Sequence, residues 1–569
     1  MFSIIDIISQ KFASKLEQVG LPLDTPLLIV EASKAEFGDY QLNGMMGAAK
    51  KLGRNPRELA TQLVALLTGE PVFASLMVAG PGFINITLSN KFIQDNLLSS
   101  IQVIVKNQQT VVVDLSAPNL AKEMHVGHLR STVIGASLAK IYDYLGYDVI
   151  KQNHVGDWGT QFGMLCAYMV MGNIDEQATE LTDLESFYRD SKIKFDQDPE
   201  FAKSARDYVV RLQGGDESVL VLWRRFVEVS LKHCQAVYDK LEVGLDNSNI
   251  CGESFYNTML PGVVTQLEEH NLITISNGAK CVFIDPTILA GGEDTPFIVQ
   301  KSDGGFLYAS TDLAAIQYRV NQLHADIILY VVDARQSFHF NQLFYVANAG
   351  GFNPRQTKFS HVAFGTMMGE DNKPFKTRSG GTVKLINLLD EAVERAYQIV
   401  NERNPMWSET DKQHLAQVMG IGSVKYADLV KNRSSDYVFS FDKMLAFDGN
   451  TAPYLLYAYT RINSILEKVT NFGSSSLLLI DAVEEHMLAA HILKFNDKLQ
   501  SVIKDNTPNL LCNYLYELSS LFMRFYESCP ILKAPDVATK NSRLILAHYT
   551  QTTLKNGLDL LGINVVVKM

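Results

Sequence analysis

Residues 110–135 read TVVVDLSAPNLAKEMHVGHLRSTVIG. Thr110–Ser116 is a short, almost wholly apolar run, the pattern of a strand covered on both faces. A loop follows, then a helix expected from about Val126 to Leu145. YDVIKQNHV, residues 147–155, supplies the next strand. Strand, long helix, strand is one βαβ unit, and such units build a parallel sheet. Later strands are expected at AKCVFI (279–284), TPFIVQK (295–301), DIILYVV (326–332) and FSHVAFG (359–365). The polar helical stretch from about Leu181 to Val243 separates the early strands from the late ones and reads as an insertion.

At the strand–helix junction two histidines, His125 and His128, straddle Gly127. Helix N-termini leave backbone N–H groups unpaired and carry partial positive charge, so they bind anions. In an open parallel sheet the crevice beyond the strand C-termini is the usual ligand site. The spacing puts both imidazoles on one side of the first helical turn. Gly127 lets a flat group approach the backbone because it has no Cβ. Each imidazole can donate N–H to phosphate oxygens, which matters most when charge builds at a phosphorus under attack. Alone, H-x-G-H is a weak pattern; its place after a buried strand makes it informative. A zinc pair is the alternative, disfavoured by the glycine-containing junction and the lack of nearby cysteines.

The chain has 569 residues, beyond the roughly 250–300 at which one core stops growing, so several domains are expected. It is 47% hydrophobic and 20% charged, as soluble globular proteins are. A net charge of -11 gives no general attraction to nucleic acid but leaves room for local basic faces. The six cysteines (Cys166, Cys234, Cys251, Cys281, Cys512 and Cys529) are scattered without a CxxC pair, which fits a reducing compartment. The start lacks the basic segment and continuous apolar core of a signal peptide. No apolar run approaches the length of about 20 residues that spans a bilayer. A cytoplasmic protein with no membrane contact is expected. Residues 1–108 read as a small α/β module, with two strands around a GPG turn at its end. From about Leu385 the pattern is helical to the end, with apolar residues on one face of each segment, as in a helical bundle.

HVGH after SAPNLAKEM resembles the HIGH signature of class I aminoacyl-tRNA synthetases, and the flanking residues resemble the arginyl-tRNA synthetase family. The resemblance runs the length of the chain. It includes NHVGDWGTQFGML, DGGFLYASTDLAA, VVDARQSFHF, KPFKTRSGGTVKL, VKYADLVKNR, NTAPYLLYAYTR and the ending LKNGLDLLGINVVVKM, all in order. It implies three parts: an N-terminal module for the tRNA elbow (1–108), a Rossmann-type catalytic domain (109–384) with an insertion at about 170–250, and an α-helical anticodon-binding domain (385–569). It further implies ATP with Mg²⁺, L-arginine and tRNA(Arg) as partners, and a monomer is expected. The implied reaction forms arginyl-adenylate and passes arginine to the tRNA 3′ end, with tRNA needed for the first step.

The resemblance also implies site residues. His125 and His128 would hold ATP phosphates, with Gly127 under the adenine. The second class I signature corresponds to FKTRS, residues 375–379. Phe375 stands where the first lysine should be and Arg378 where the second should be. An arginine can bind phosphate and a phenylalanine cannot. Lys122, just before the first signature, would replace the missing lysine; Lys376 is one position off and is either a phosphate contact or solvated. Thr377 would also line the ATP site. The arginine pocket would comprise Asp114, Asn119, Tyr308, Asp312 and Gln336. Asp312 and Tyr308 would face the guanidinium, Asp114 would add negative charge, and Asn119 and Gln336 would hold the α-amino and carboxylate end. Asp312 could otherwise be a helix N-cap, and Tyr308 a core aromatic.

For RNA, Phe83 in GFINI would stack on a D-loop base and Asn85 would bond its edge, although Phe83 could simply be core. Tyr454, Tyr457, Tyr526 and Met569 match positions near the anticodon, although an aromatic pair at helical spacing is usually core. His154, Trp158 and His339 are expected near the active site with no step assigned. The acidic run from Asp175 to Glu185 reads as a solvated face. Two rivals remain open on sequence: a small-molecule ligase without tRNA, and a non-catalytic RNA-binding relative.

Overall fold

Val111, Val112 and Val113 are fully buried, as a central parallel strand requires. In the computed structural model of the chain they form β1 (Thr110–Asp114). The structure describes residues 3–97, 106–172, 184–285, 287–289, 295–371, 373, 375, 383–469 and 478–569. Contacts within the chain divide it into two compact units, one of Lys106–Ala446 with Leu560–Ile563, the other of Met1–Val105 with Phe447–Asp559 and Asn564–Met569.

The first unit is built on a four-stranded parallel sheet. Its strands are β1, β2 (Asp148–Gln152), β3 (Ile327–Tyr330) and β4 (Lys358–His361). Their spatial order is β4-β3-β1-β2, and every pairing is parallel. The order reverses between β1 and β3, and at such a switch point a crevice opens beyond the strand C-termini. Register brings Asp114, Gln152 and Tyr330 level at that edge.

The connecting helix α1 (Leu129–Tyr144) is buried nearly all round, with 13 buried residues. Gly135 allows its close approach, since a Cβ there would lie 2.4 Å from the Leu115 Cβ. Ser131 Oγ donates to the Val331 carbonyl (2.6 Å) and accepts from the Ser116 N–H (2.9 Å). Arg130 donates to the Gly365 and Ser435 carbonyls and pairs with buried Asp428 at 3.1 Å. The helix that follows the histidines is thus bolted to both neighbouring strand ends.

AKCVFI and TPFIVQK do form strands, but not in the parallel sheet. Thr274–Ser276, Ala279–Val282 and Phe297–Gln300 make a separate antiparallel sheet. The reason is local. Asn277 and Gly278 both have positive φ, 51° and 79°, and a two-residue Asn-Gly turn of this kind folds the chain back on itself. The insertion is helical, at Leu184–Gln197, Pro199–Gln213 and Glu217–Leu241. This unit also takes in the helices Leu385–Arg403 and Glu409–Leu429 and runs on to Ala446. Segment Leu560–Ile563 belongs to it too: Ser137 Oγ and Lys425 Nζ donate to the carbonyls of Leu560 and Gly562.

In the second unit, the four-stranded antiparallel sheet of the N-terminal module packs with the C-terminal helices. The Asp497 carboxylate accepts from the Ile4 and Ile5 N–H groups. Lys498 pairs with Glu31 at 2.7 Å. His486 bonds Asn90 Oδ1 through Nδ1 (2.8 Å) and Asp39 Oδ2 through Nε2 (3.1 Å). His491, stacked on Tyr514 at 4.4 Å, is held far below the usual imidazole range, to about 3, by burial. None of the described helices is long and apolar enough to cross a membrane.

Candidate active site

The chain leaves β1 through two left-handed residues, Ser116 and Ala117 (φ 68° and 46°). It crosses to β2 at the Asn119–Gly156 bridge and enters a single 3-10 turn, Val126–His128, before α1. The two histidines close that turn reciprocally. The Gly127 N–H donates to His125 Nδ1 at 3.0 Å, and the His125 N–H donates to His128 Nδ1 at 3.1 Å. A backbone N–H can only donate, so the Gly127 bond makes His125 Nδ1 an acceptor and leaves that proton on Nε2; His128 Nδ1 also lies 3.2 Å from the His125 carbonyl, so either tautomer of His128 finds a backbone partner there. The rings lie 4.1 Å apart. Burial, and next the neighbouring His125, push His128 down to about 3. His128 is therefore a neutral donor at physiological pH. A Cβ on Gly127 would lie 2.8 Å from His125 Cε1, so the glycine makes room for the His125 ring itself.

The turn is also stitched to the far end of the second signature. The Val126 N–H donates to the Val383 carbonyl (3.1 Å), and the Leu385 N–H to the Met124 carbonyl (2.9 Å). Lys384 Nζ pairs with Glu123 at 3.0 Å. Lys122 Nζ lies 4.5 Å from the centre of the Tyr188 ring. Lys122, His125, Tyr188, Lys192 and Lys384 line a cavity of about 360 Å³ together with Glu123, Arg189 and Asp196; Lys192 is paired with Asp196 at 2.6 Å. Phe375 packs against Phe439 at 5.5 Å, so the residue in the first-lysine position is tied to apolar packing. Lys376, Thr377, Arg378 and the acidic stretch from Asp175 to Asp183 lie outside the described residues.

The carboxylate end is assembled from separate elements. Tyr308 and Asp312 sit one turn apart on α2 (Tyr308–Asn321). Tyr308 is 62% exposed, so it is not a core aromatic. Asp312 is not an N-cap either, since the helix begins four residues before it. Its Oδ2 accepts from His339 Nε2 at 2.7 Å. His339 lies on α3 (Ser337–Ala349). Asp114 is buried, and its Oδ2 is bonded by Arg319 Nη2 at 2.9 Å. Arg319 thus balances the charge that Asp114 would lend a substrate, while Asp114 Oδ1 is buried and finds no hydrogen-bond partner among the described residues. Asn119 and Gln336 are exposed at the ends of the loops after β1 and β3. Nearby, burial and then Asp157 and Asp312 push Glu253 up to about 8.

His154 stacks on Tyr256 at 5.5 Å, and Trp158 meets Trp223 edge-on at 5.4 Å. Sequence reasoning gave no role to Arg319, Glu123 or Lys384. Their partners lie far away in the chain, and no local spacing announces them.

In the second unit Asn85 is buried and its Oδ1 accepts from Gln41 Nε2 at 2.8 Å, while Phe83 is half-buried. Tyr454 packs on Tyr516 at 5.4 Å. Tyr457 is 41% exposed and accepts from Arg461, whose guanidinium lies 4.7 Å from the centre of the Tyr526 ring. Met569 is half-buried.

Three family models match: tRNA synthetases class I (R), catalytic domain, over residues 87–441; DALR anticodon binding domain over 455–569; and arginyl tRNA synthetase N terminal domain over 6–88. The arginine–tRNA ligase of Laribacter hongkongensis is 53% identical and that of Chromobacterium violaceum 51%, each over 100% of both chains. The crystal structure of the Plasmodium falciparum arginyl-tRNA synthetase superposes with a TM-score of 0.87 at 32% identity, covering 100% of both chains. The Thermus thermophilus arginyl-tRNA synthetase, at 24% identity and a TM-score of 0.84, shares the fold. With a neutral histidine pair at the switch point of a parallel sheet, and with these matches along its whole length, the chain belongs to the arginyl-tRNA synthetase family of class I aminoacyl-tRNA synthetases.

Proposed function

We infer that the protein carries out its family's reaction: it activates L-arginine with MgATP and transfers it to the 3′ end of tRNA(Arg), releasing pyrophosphate and then AMP. One observation carries this reading. Two imidazoles closing one 3-10 turn, and an exposed Tyr308 with a part-buried Asp312 one turn further along α2, stand at the C-terminal ends of one parallel sheet. The arginine carboxylate attacks the α-phosphorus, an oxygen–phosphorus bond forms, and the bond to pyrophosphate breaks. Negative charge grows on the phosphoryl oxygens, and His125 and His128 meet it with donors already aligned. The tRNA 2′-hydroxyl then attacks the adenylate carbonyl and AMP leaves. There is little covalent work for the protein, so positioning carries much of the rate.

Asp312 and Tyr308 receive the guanidinium; Asn119 and Gln336 hold the amino-acid end; Asp114 shapes the floor with Arg319. Lys122 stands in for the lysine absent at Phe375, and Lys376, Thr377 and Arg378 are further candidates for contact with ATP. Phe83 and Asn85 meet the tRNA elbow, and Tyr454, Tyr457, Tyr526 and Met569 the anticodon side. Binding of tRNA completes the site by induced fit. The test is arginine-dependent ATP–pyrophosphate exchange with and without tRNA(Arg). Exchange only with tRNA is expected; none under either condition overturns the function, and exchange without tRNA overturns the dependence alone. In the same assay Lys122→Ala should lower kcat more than Lys376→Ala, and equal or reversed losses sink the assignment of Lys122.

A further inference from the structure

Asp312 does not face solvent alone. Its Oδ2 is bonded by His339 Nε2 at 2.7 Å across two helices. The His339 ring is itself fixed on two sides: it stacks on Phe297 (5.9 Å, 14°) and meets the Tyr308 ring edge-on (4.9 Å, 71°). Side-chain exposure falls from 23% at Asp312 to 15% at His339. The imidazole is the shared support of both residues that meet the guanidinium.

We propose that His339 is a positioning residue for the substrate arginine: its Nε2–H holds one oxygen of Asp312, which presents the other oxygen and the Tyr308 ring to the guanidinium. An unrestrained aspartate explores a broad χ2 range, whereas planar recognition of a guanidinium needs a fixed carboxylate plane. A charge-assisted hydrogen bond from a ring packed on two sides supplies that plane. The proposal rests on Asp312 and Tyr308 being the arginine pocket.

The experiment compares wild type, His339→Ala, His339→Gln and Asp312→Asn in exchange assays with tRNA(Arg) present, with Tm measured alongside. His339→Ala should raise the KM for arginine by about 10- to 30-fold, the scale of one lost hydrogen bond to a charged group. Its kcat and KM for ATP should stay within about twofold of wild type, and its Tm should hold. His339→Gln, whose amide nitrogen can donate to the same oxygen, should recover most of the loss. The proposal is overturned if His339→Ala leaves the arginine KM unchanged, if Gln is no better than Ala, or if kcat and Tm fall while both KM values rise together. Asp312→Asn separates the two layers. A raised arginine KM there without one in His339→Ala removes the positioning role alone; no change in Asp312→Asn removes the pocket itself.

Discussion

The phosphate end and the guanidinium end of this site are built in opposite ways. At the phosphate end the bonds from backbone N–H to imidazole close within three residues, while the Val126–Val383 and Leu385–Met124 backbone bonds tie the turn to one distant segment. At the guanidinium end each carboxylate is held by a side chain from elsewhere: Asp114 by Arg319, 205 positions on, and Asp312 by His339, 27 positions on. A locally closed turn keeps its geometry as long as its own backbone does. A pocket of long-range pairs depends on the packing of the whole sheet.

The largest expected effect tests that second dependence. Arg319→Met should leave the buried Asp114 carboxylate unpaired and lower stability by about 3–5 kcal/mol, measured by urea unfolding. A loss below about 1 kcal/mol would mean the pair is not structural. His128→Ala comes next: removing one aligned donor should cut kcat for exchange by about 10²–10³, with arginine KM and tRNA affinity kept. If arginine KM moves instead, the two ends are not separable. Gly127→Ala probes the turn more gently. Its Cβ would push the His125 ring off the Gly127 N–H, and a drop in kcat of about tenfold is expected, set against the up to 100-fold cost of a 1 Å misplacement. Unchanged kcat would show that the ring can shift without consequence.

A separate test concerns pH. His128 in one unit and His491 in the other are both held down to about 3 by burial, against about 6.5 in an unfolded chain. Between those values the unfolded state binds protons that the folded state does not. Stability therefore declines as pH falls from about 6.5 towards 3 and levels off below. Urea midpoints at pH 7 and pH 5 should show the decline, and His128→Asn should reduce it. An unaltered slope in that variant would assign the acid sensitivity elsewhere.

The same contrast explains what could be read before the structure. The apolar run Val111–Val113, the glycine junction and the histidine spacing are short-range features, and the sheet, α1 and the phosphate end follow from them. The Asn277-Gly278 turn was just as local, yet apolar runs alone do not tell a parallel strand from one arm of a hairpin. Arg319 was invisible for another reason. A cation on a helix reads as solvated, and only the fold turns it inward onto Asp114. His339 stood in a segment with a family pattern, but nothing in the spacing tied it to Asp312.

The second unit is discontinuous in the chain, and this has a consequence for synthesis. The N–H of Ile4 finds its acceptor on Asp497 only across 493 residues. At roughly 5–20 residues per second, the first module leaves the ribosome about 25–100 s before that partner exists. The whole parallel sheet is translated in the interval and can fold first. The earliest part of the protein to be made is thus among the last to be completed, and it waits with the face that will take His486 and Lys498 uncovered.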